Sequence, residues 1–346
     1  MDNLVEPLSG DQPAGRQLKN EDATALIQEL ETYPPKYEKQ ERASNIWLRS
    51  FVSLAAYLIL GYYIFPSYKI LLLITAIVLL HEFGHFFAMK FFRYKDLGIF
   101  FIPLLGAYVS GSKRELSQKE SAVILLAGPL PGILIGIAFY LLYKNNPDLS
   151  LAGLSFYTIS LSFILLNLIN LLPVYPLDGG QLLNRVFLDE ESWISKVFVF
   201  LSIGFLIWFA LYGTSRPFYA LLLFPLMMIV RMFGDAQLKS LEKKVHYSDI
   251  DMDKSYEELS DEDYWKIRNI IIAAHPSFKD VAPAPPYEYS EKEEKIMTTI
   301  QSLLHRHLIQ DLSITAKILI ILLWLGAFAA PWFLEMYQAI MSRFGY

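Results

Sequence analysis

The chain is 346 residues long, 54% hydrophobic and 19% charged, with a mean hydropathy of +0.33 and a formal net charge of −5. A soluble domain fills its core with about 45–50% apolar residues. The excess here is gathered into runs, residues 121–143 and 151–172 holding no charge over 23 and 22 positions. Runs of about 18 or more such residues read as membrane spans, which excludes a purely soluble enzyme. The lack of cysteine excludes disulfides, thiolate zinc sites and Cys nucleophiles, and the mild acidity argues against a nucleic-acid partner.

Taken in chain order, residues 1–43 are polar, with Pro34-Pro35 and many charges, and read as a flexible or weakly helical tail. The first apolar run begins only near Ile46, so no secretory signal peptide is expected and the first span should stay as an anchor. Spans are predicted at 46–65, 70–89, 121–143, 151–172, 197–212, 217–230 and 318–334. The fold class expected is therefore an all-α polytopic membrane protein of about seven transmembrane helices. Between the second and third spans, residues 98–111 (GIFFIPLLGAYVSG) are apolar but too short to cross, and Pro103, Gly106 and Gly111 oppose a helix. They read as a re-entrant loop or short hairpin. Gly128-Pro129 and Pro131 should bend the third span, and Gly132 with Gly136 offers a GxxxG surface for another helix.

A polar stretch at 235–312 carries 16 Asp+Glu and 10 Lys+Arg, a net of −6, leaving the rest of the chain about neutral. It contains a linker at 282–286 (APAPP) and a helical pattern at 291–307, with Ile296, Ile300, Leu303, Leu304 and His307 on one side. It reads as a small helical domain or an insertion that docks on the membrane, with no internal repeat and no known binding motif. The Lys and Arg residues of the short loops favour one orientation. Lys36, Lys39, Arg42, six basic residues of the 90–119 loop, Arg185, Lys196 and Arg231 fall on one side, and Lys69, Lys144, Arg216 and Arg343 on the other. This predicts a cytoplasmic N terminus and a cytoplasmic 235–312 segment.

The chemistry is concentrated in His81-Glu82-Phe83-Gly84-His85, within the second span. On a helix, positions i and i+4 share a face, so His81 and His85 can bind one metal ion, with Glu82 beside its open side as general base. A helix end in water at the membrane interface is the simpler alternative. Three ionisable groups at membrane depth cost roughly 2.5–3.5 kcal/mol each, however, unless paired or metal-bound. A catalytic zinc usually takes three protein ligands. The other histidines, His246, His275, His305 and His307, all lie in the polar segment, and cysteine is absent. The third ligand then falls to a carboxylate near another span. Asp178 is the best placed, after the prolines that close the fourth span and before Gly179-Gly180. Alone, it would read as an interfacial turn aspartate.

Together, HEFGH in the second span and NLLPVYPLDGG (170–180) at the end of the fourth resemble the site-2 protease family of intramembrane zinc metalloproteases, as does Ala127-Gly128-Pro129 in the third. The resemblance covers roughly residues 70–185. It implies His81, His85 and Asp178 as Zn2+ ligands, Glu82 as the catalytic carboxylate and a core of spans two to four. It also implies regulated cleavage of transmembrane protein substrates within or near their spans, and a role for Asn170 in contacting substrate or oxyanion. Residues 106–109 (Gly106, Ala107, Tyr108, Val109) are the candidate strand edge for an unwound substrate, with simple packing over the bundle as the alternative. Asn167, one turn before Asn170, reads as a helix–helix hydrogen bond.

The expected organisation is a cytoplasmic tail (1–45), a protease core (46–232), a soluble cytoplasmic insertion (233–313) and a C-terminal span (314–346). The bacterial plasma membrane is the expected location, with membrane lipid as surroundings and a soluble regulator at 235–312 as a candidate partner. A metal transporter using the same ligands and an inactive scaffold or receptor are the alternatives. Transit sites bind weakly and open to both sides, and a glutamate beside the histidine pair is more than transit requires.

Overall fold

The computed structural model describes residues 33–38, 45–65, 67–103, 106–113, 116–188, 192–213, 217–248, 250–304 and 308–333. Most of the predicted N-terminal tail, His305, His307 and the chain beyond 333 lie outside them. The chain divides into two compact units, a larger one within 41–236 and 306–346 and a smaller one within 1–40 and 237–305.

The larger unit opens with helices α1 (Ile46–Ile64) and α2 (Tyr68–Phe91). A hairpin of β1 (Lys95–Ile102) and β2 (Gly106–Ser112) follows, in antiparallel register with Ile99 opposite Val109 and Phe101 opposite Ala107. Of the two readings left open for residues 98–111, the hairpin is the one adopted. After the short β3 (Leu116–Ser117), the third span is broken into α3 (Gln118–Ala127) and α4 (Pro129–Asn145) at Gly128. Pro129 lacks the N–H that a continuous helix would need there. A two-residue pair, β4 (Ser150–Leu151) with β5 (Leu154–Ser155), leads into α5 (Phe156–Asn170).

Six helices of the described residues are long and apolar enough to cross a membrane, and α5 is a shorter apolar helix of 15 residues. The predicted fourth span of 22 residues is shorter as a helix for two reasons. Its first residues are spent on the β4–β5 turn, and Pro173 and Pro176 stop it at the far end. Serines set several of the helix starts. Ser117, Ser155 and Ser192 accept hydrogen bonds from the amides of Glu120, Thr158 and Ser195, taking up donors that the first turn leaves open.

A short helix α6 (Asp178–Leu182) continues into a π-helical turn, Leu183–Leu188. The helices α7 (Trp193–Tyr212) and α8 (Leu223–His246) follow. Trp193, Phe200, Leu201 and Trp208 of α7 stand exposed, as do Leu226 and Val230 of α8. Such apolar faces suit acyl chains and not water. The protein is a multi-pass membrane protein.

Three helices form its centre. The α4 and α5 backbones close on each other because Gly132 and Gly136 present no side chain. A Cβ on Gly132 would lie 2.2 Å from Asn167 Nδ2, and one on Gly136 2.6 Å from Ile164 Cγ1. Ser160 Oγ donates to the Gly136 carbonyl at 2.7 Å across the same seam. The helix α2 packs on α3, α4 and α5.

The smaller unit has its own apolar core, in which Val245, Ile267, Ile271, Ile296 and Ile300 are fully buried. Its helices are the end of α8, α9 (Asp261–Ala274) and α10 (Glu293–Leu303). The face of 296, 300, 303 and 304 predicted to be apolar is buried there. Residues 33–38 pack against this core through Tyr33 and Tyr37, which the sequence does not announce. In the larger unit, β6 (Leu308–Ile309) pairs in parallel with β3, and α11 (Ile314–Phe333) returns to the membrane. Trp324 Nε1 then donates to the Leu171 carbonyl at the open end of α5, at 2.8 Å.

A buried ion pair locks the smaller unit. Arg268 Nε donates to Glu293 Oε1 at 2.7 Å and Nη2 to Oε2 at 3.1 Å, both side chains being 1% exposed. The remaining partners are also supplied: Arg268 reaches the Ala282 and Glu288 carbonyls, and Tyr264 and Ser290 donate to Glu293. Burial pushes the Glu293 carboxyl up, but the hydrogen bonds from Arg268, Tyr264 and the Ser290 amide outweigh it and hold the group below its usual value. An acid whose folded pKa is depressed adds stability above its unfolded pKa and loses it as pH falls through the folded one. The α9 and α10 amides are therefore expected to lose protection from hydrogen exchange as pH falls below the ordinary glutamate value of about 4.3. Glu293→Gln should flatten that dependence. At neutral pH, Arg268→Met strands the carboxylate and should cost the unit about 3–5 kcal/mol in the same measurement.

Candidate metal centre

Two side chains come from α2 and one from the start of α6. His81 and His85 sit one turn apart on α2, and Asp178 is the first residue of α6, set there by the chain reversal of 171–177. His81 Nε2 lies 3.0 Å from His85 Nε2, and Asp178 Oδ2 lies 3.0 Å from the former and 3.3 Å from the latter. All three residues are less than 10% exposed. Among the described residues, this is the group of His, Asp and Glu side chains whose geometry could hold a metal ion.

The protons of the two rings are assigned by their far sides. Asn167 Nδ2 donates to the Phe163 carbonyl, which turns Oδ1 toward His81 Nδ1 at 2.9 Å. His85 Nδ1 lies 2.8 Å from the Ile124 carbonyl. Both neighbours only accept, so both Nδ1 atoms donate, and in neutral rings both Nε2 atoms present lone pairs. Asp178 Oδ2 is buried without a hydrogen-bond donor among the described residues. Three acceptor atoms therefore converge with no proton assigned between them. One proton could bridge only one of the three contacts, whereas a cation relieves all three. Tetrahedral zinc with bonds of about 2.0–2.1 Å spaces its ligand atoms by roughly 3.3 Å, close to the separations here. A donor set of two imidazoles and one carboxylate suits zinc.

The close approach that permits this depends on two glycines. A Cβ on Gly84 would fall 1.9 Å from the Ala127 carbonyl oxygen, and one on Gly128 2.4 Å from His85 Nε2. The α3–α4 break thus passes directly over the histidine turn. Gly179 packs with similar tightness on the Leu171 carbonyl, inside α6. The glycines after Asp178 serve packing within a helix.

Glu82 is buried, and two cavities meet beside it. One, of about 640 Å³, is walled mainly by apolar side chains such as Ile77, Val78, Phe205, Phe209 and Phe224. The other, of about 580 Å³, contains His85 and Asp178 and is lined by Tyr94, Lys113, Gln181 and Arg185. His81, Glu82, Gly106, Ala107 and Asn170 border both. Tyr108 and Val109 line the second. The structure thus gathers all of the candidate residues, His81, Glu82, His85, Asp178, Asn170 and the 106–109 strand, around one space. The Asn170 side chain donates to the Leu166 carbonyl at 3.2 Å. What sequence reading missed is the partner of Asn167: its hydrogen bond does join two helices, but through a candidate ligand.

The sequence model of peptidase family M50 matches residues 69–153. Over that stretch, which holds HEFGH and Ala127-Gly128-Pro129, the chain is similar to the metalloproteases of that family. Stage IV sporulation protein FB of Bacillus subtilis is 33% identical over 121 residues, 34% of this chain and 40% of that protein. A zinc metalloprotease of Methanocaldococcus jannaschii is 29% identical over 142 residues, 41% of this chain and 40% of that protein. The chain thus spans about two fifths of the length of these curated relatives. A solved site-2 protease from Methanocaldococcus jannaschii aligns over 52% of this chain and 84% of its own, with 24% identity and a TM-score of 0.38.

Asn167→Ala removes the acceptor that fixes the His81 ring. Loss of such a partner weakens metal binding about 10–100-fold, and zinc retention under graded chelator should fall by that much while the helical content of the protein is kept.

Proposed function

We propose that this protein is an intramembrane zinc metalloprotease that hydrolyses peptide bonds within or near the transmembrane segments of membrane-protein substrates. The observation that carries the reading is the convergence of His81, His85 and Asp178 beside Glu82, where an apolar and a polar cavity meet. The two histidines and the aspartate are the ligands for zinc. A bound zinc ion supplies Lewis acidity and lowers the pKa of water toward about 7.

The protein's own groups do the rest. Glu82 is the general base, taking a proton from water and returning it to the leaving amine. Asn167 and the Ile124 carbonyl hold the two imidazoles in the tautomer that leaves Nε2 free. The apolar cavity receives the side chains of a substrate span, and the polar one admits water. A helical substrate must be unwound before attack, because its peptide groups are hydrogen-bonded within the helix. The edge of β2 that β1 leaves open is the docking strand for the extended segment. Gly106, Ala107, Tyr108 and Val109 provide its main-chain groups, and Asn170 stands at the boundary of both cavities to contact the substrate carbonyl or the oxyanion.

The basic loop residues favour a cytoplasmic N terminus and a cytoplasmic 237–305 unit, in a bacterial plasma membrane. On this reading the chain is organised as an N-terminal tail, a protease core, an insertion that also takes residues 33–38, and a C-terminal span.

Glu82→Gln keeps the ligands and removes the base. The variant should retain zinc, measured by metal analysis, and cleave a co-expressed single-span substrate about 10²–10⁴-fold more slowly. Unchanged cleavage would sink the assignment.

A further inference from the structure

The segment Tyr33-Pro34-Pro35-Lys36-Tyr37 lies against the smaller unit without regular secondary structure, held by partners more than 200 positions away in sequence. Three of its backbone carbonyls are taken up by three side-chain donors. Trp265 Nε1 donates to the Pro34 carbonyl at 2.8 Å, Tyr289 Oη to that of Pro35, and Tyr256 Oη to that of Tyr37 at 2.6 Å. Neither proline has an N–H to satisfy, and the next amide, that of Lys36, donates to Asp261 Oδ1 at 2.7 Å. The Lys36 ammonium donates to the Glu257 and Leu259 carbonyls, both at 2.7 Å, and stands 5.7 Å from the centre of the Tyr256 ring.

Aromatic rings form the floor. Trp265 and Tyr289 stack at 5.7 Å with planes 10° apart, and Tyr287 meets Trp265 edge-on. The tyrosines of the segment pack edge-on against this floor, Tyr33 on Tyr287 and Tyr37 on Tyr289. A proline-rich chain prefers an extended form with no internal hydrogen bonds, which leaves its carbonyls outward and its ordering cost low. A groove of aromatic faces with indole and phenol donors is the complement of such a chain. An ordinary core contact needs no side-chain donors matched to three carbonyls of one short segment and no set of carbonyls around a lysine.

We propose that the 237–304 unit is a binding module for proline-rich basic peptides, and that residues 33–38 of this same chain are its resting ligand. Binding in cis places the ligand at an effective concentration in the millimolar range, so the groove stays filled until the segment is displaced or cleaved.

The test uses the full chain in detergent, with residues 33–38 replaced by Gly and Ser, and a dye-labelled peptide of residues 32–39 followed by fluorescence anisotropy. The substituted chain should bind the peptide saturably at one to one. The unsubstituted chain should need at least about tenfold more peptide, because its own segment competes. A peptide carrying Lys36→Glu, or Pro34→Ala with Pro35→Ala, should bind more weakly. Tyr289→Phe in the substituted chain should weaken binding about 2- to 10-fold, the worth of one hydrogen bond. Hydrogen exchange of α9 and α10 is read alongside. If those helices unfold once 33–38 is replaced, the segment is part of the core and the proposal fails. It fails equally if the helices stay protected and no peptide binds.

Discussion

Three acceptor atoms facing one another in a buried place set the terms for the rest of the membrane unit. His81 Nε2, His85 Nε2 and Asp178 Oδ2 lie 3.0–3.3 Å apart, and among the described residues no other donor reaches Asp178 Oδ2. Left alone, the arrangement is repulsive, and in low-dielectric surroundings the repulsion is stronger than in water. It persists because other bonds over-determine it. The Ile124 carbonyl on α3 and Asn167 on α5 each fix one ring from behind. The packing of α6 against the end of α5 fixes the carboxylate. These supports come from α3, α5 and α6, which is why the site needs the helices around α2 and not only the HEFGH turn.

The same requirement explains where small residues occur. A histidine ring between two helices needs room, yet its Nδ1 must still reach a backbone carbonyl on the neighbouring helix. Gly84 and Gly128 supply that room at the α2 crossing, and Gly132 supplies it for Asn167. The break at Gly128-Pro129 is then part of the site as much as of the span. A continuous helix would carry a side chain over His85.

Some of this was legible in the sequence and some was not. HEFGH fixes the relation of His81, Glu82 and His85 by helix geometry alone, and the prolines before Asp178 announce the end of a helix. The bend at Gly128 and the close α4–α5 seam follow from Pro129 and from Gly132 with Gly136. Residues 98–111 left hairpin and re-entrant loop open, because a short apolar run with glycine and proline suits both until the pairing of Ile99 with Val109 is seen. The partner of Asn167 was not legible, since an amide on an apolar helix states only that it needs a partner. Nor was the length of α5: an uncharged run of 22 residues does not say how many of them a turn will consume. The docking of residues 33–38 was least visible. Its donors, Tyr256, Trp265 and Tyr289, are spread over the far half of the chain, and no periodicity marks them.

The two cavities join these observations to chemistry on the proposed reading. Hydrolysis inside a membrane needs water and an apolar substrate at one atom, and each excludes the other from its own surroundings. Here the apolar walls of Ile77, Phe205 and Phe209 lie on one approach, and Tyr94, Lys113 and Gln181 on the other, with Glu82 at the junction. The hairpin divides them. Gly106 and Ala107 border both spaces, whereas Tyr108 and Val109 border only the polar one. A strand that borders both spaces and has no strand on its edge away from β1 among the described residues can hold an extended chain at the boundary, with its side chains in the apolar space and its peptide group toward the polar one. Alternation of side chains across a strand gives that separation without further machinery. The geometry of β2, more than any single ligand, then decides which bond of a substrate meets the water.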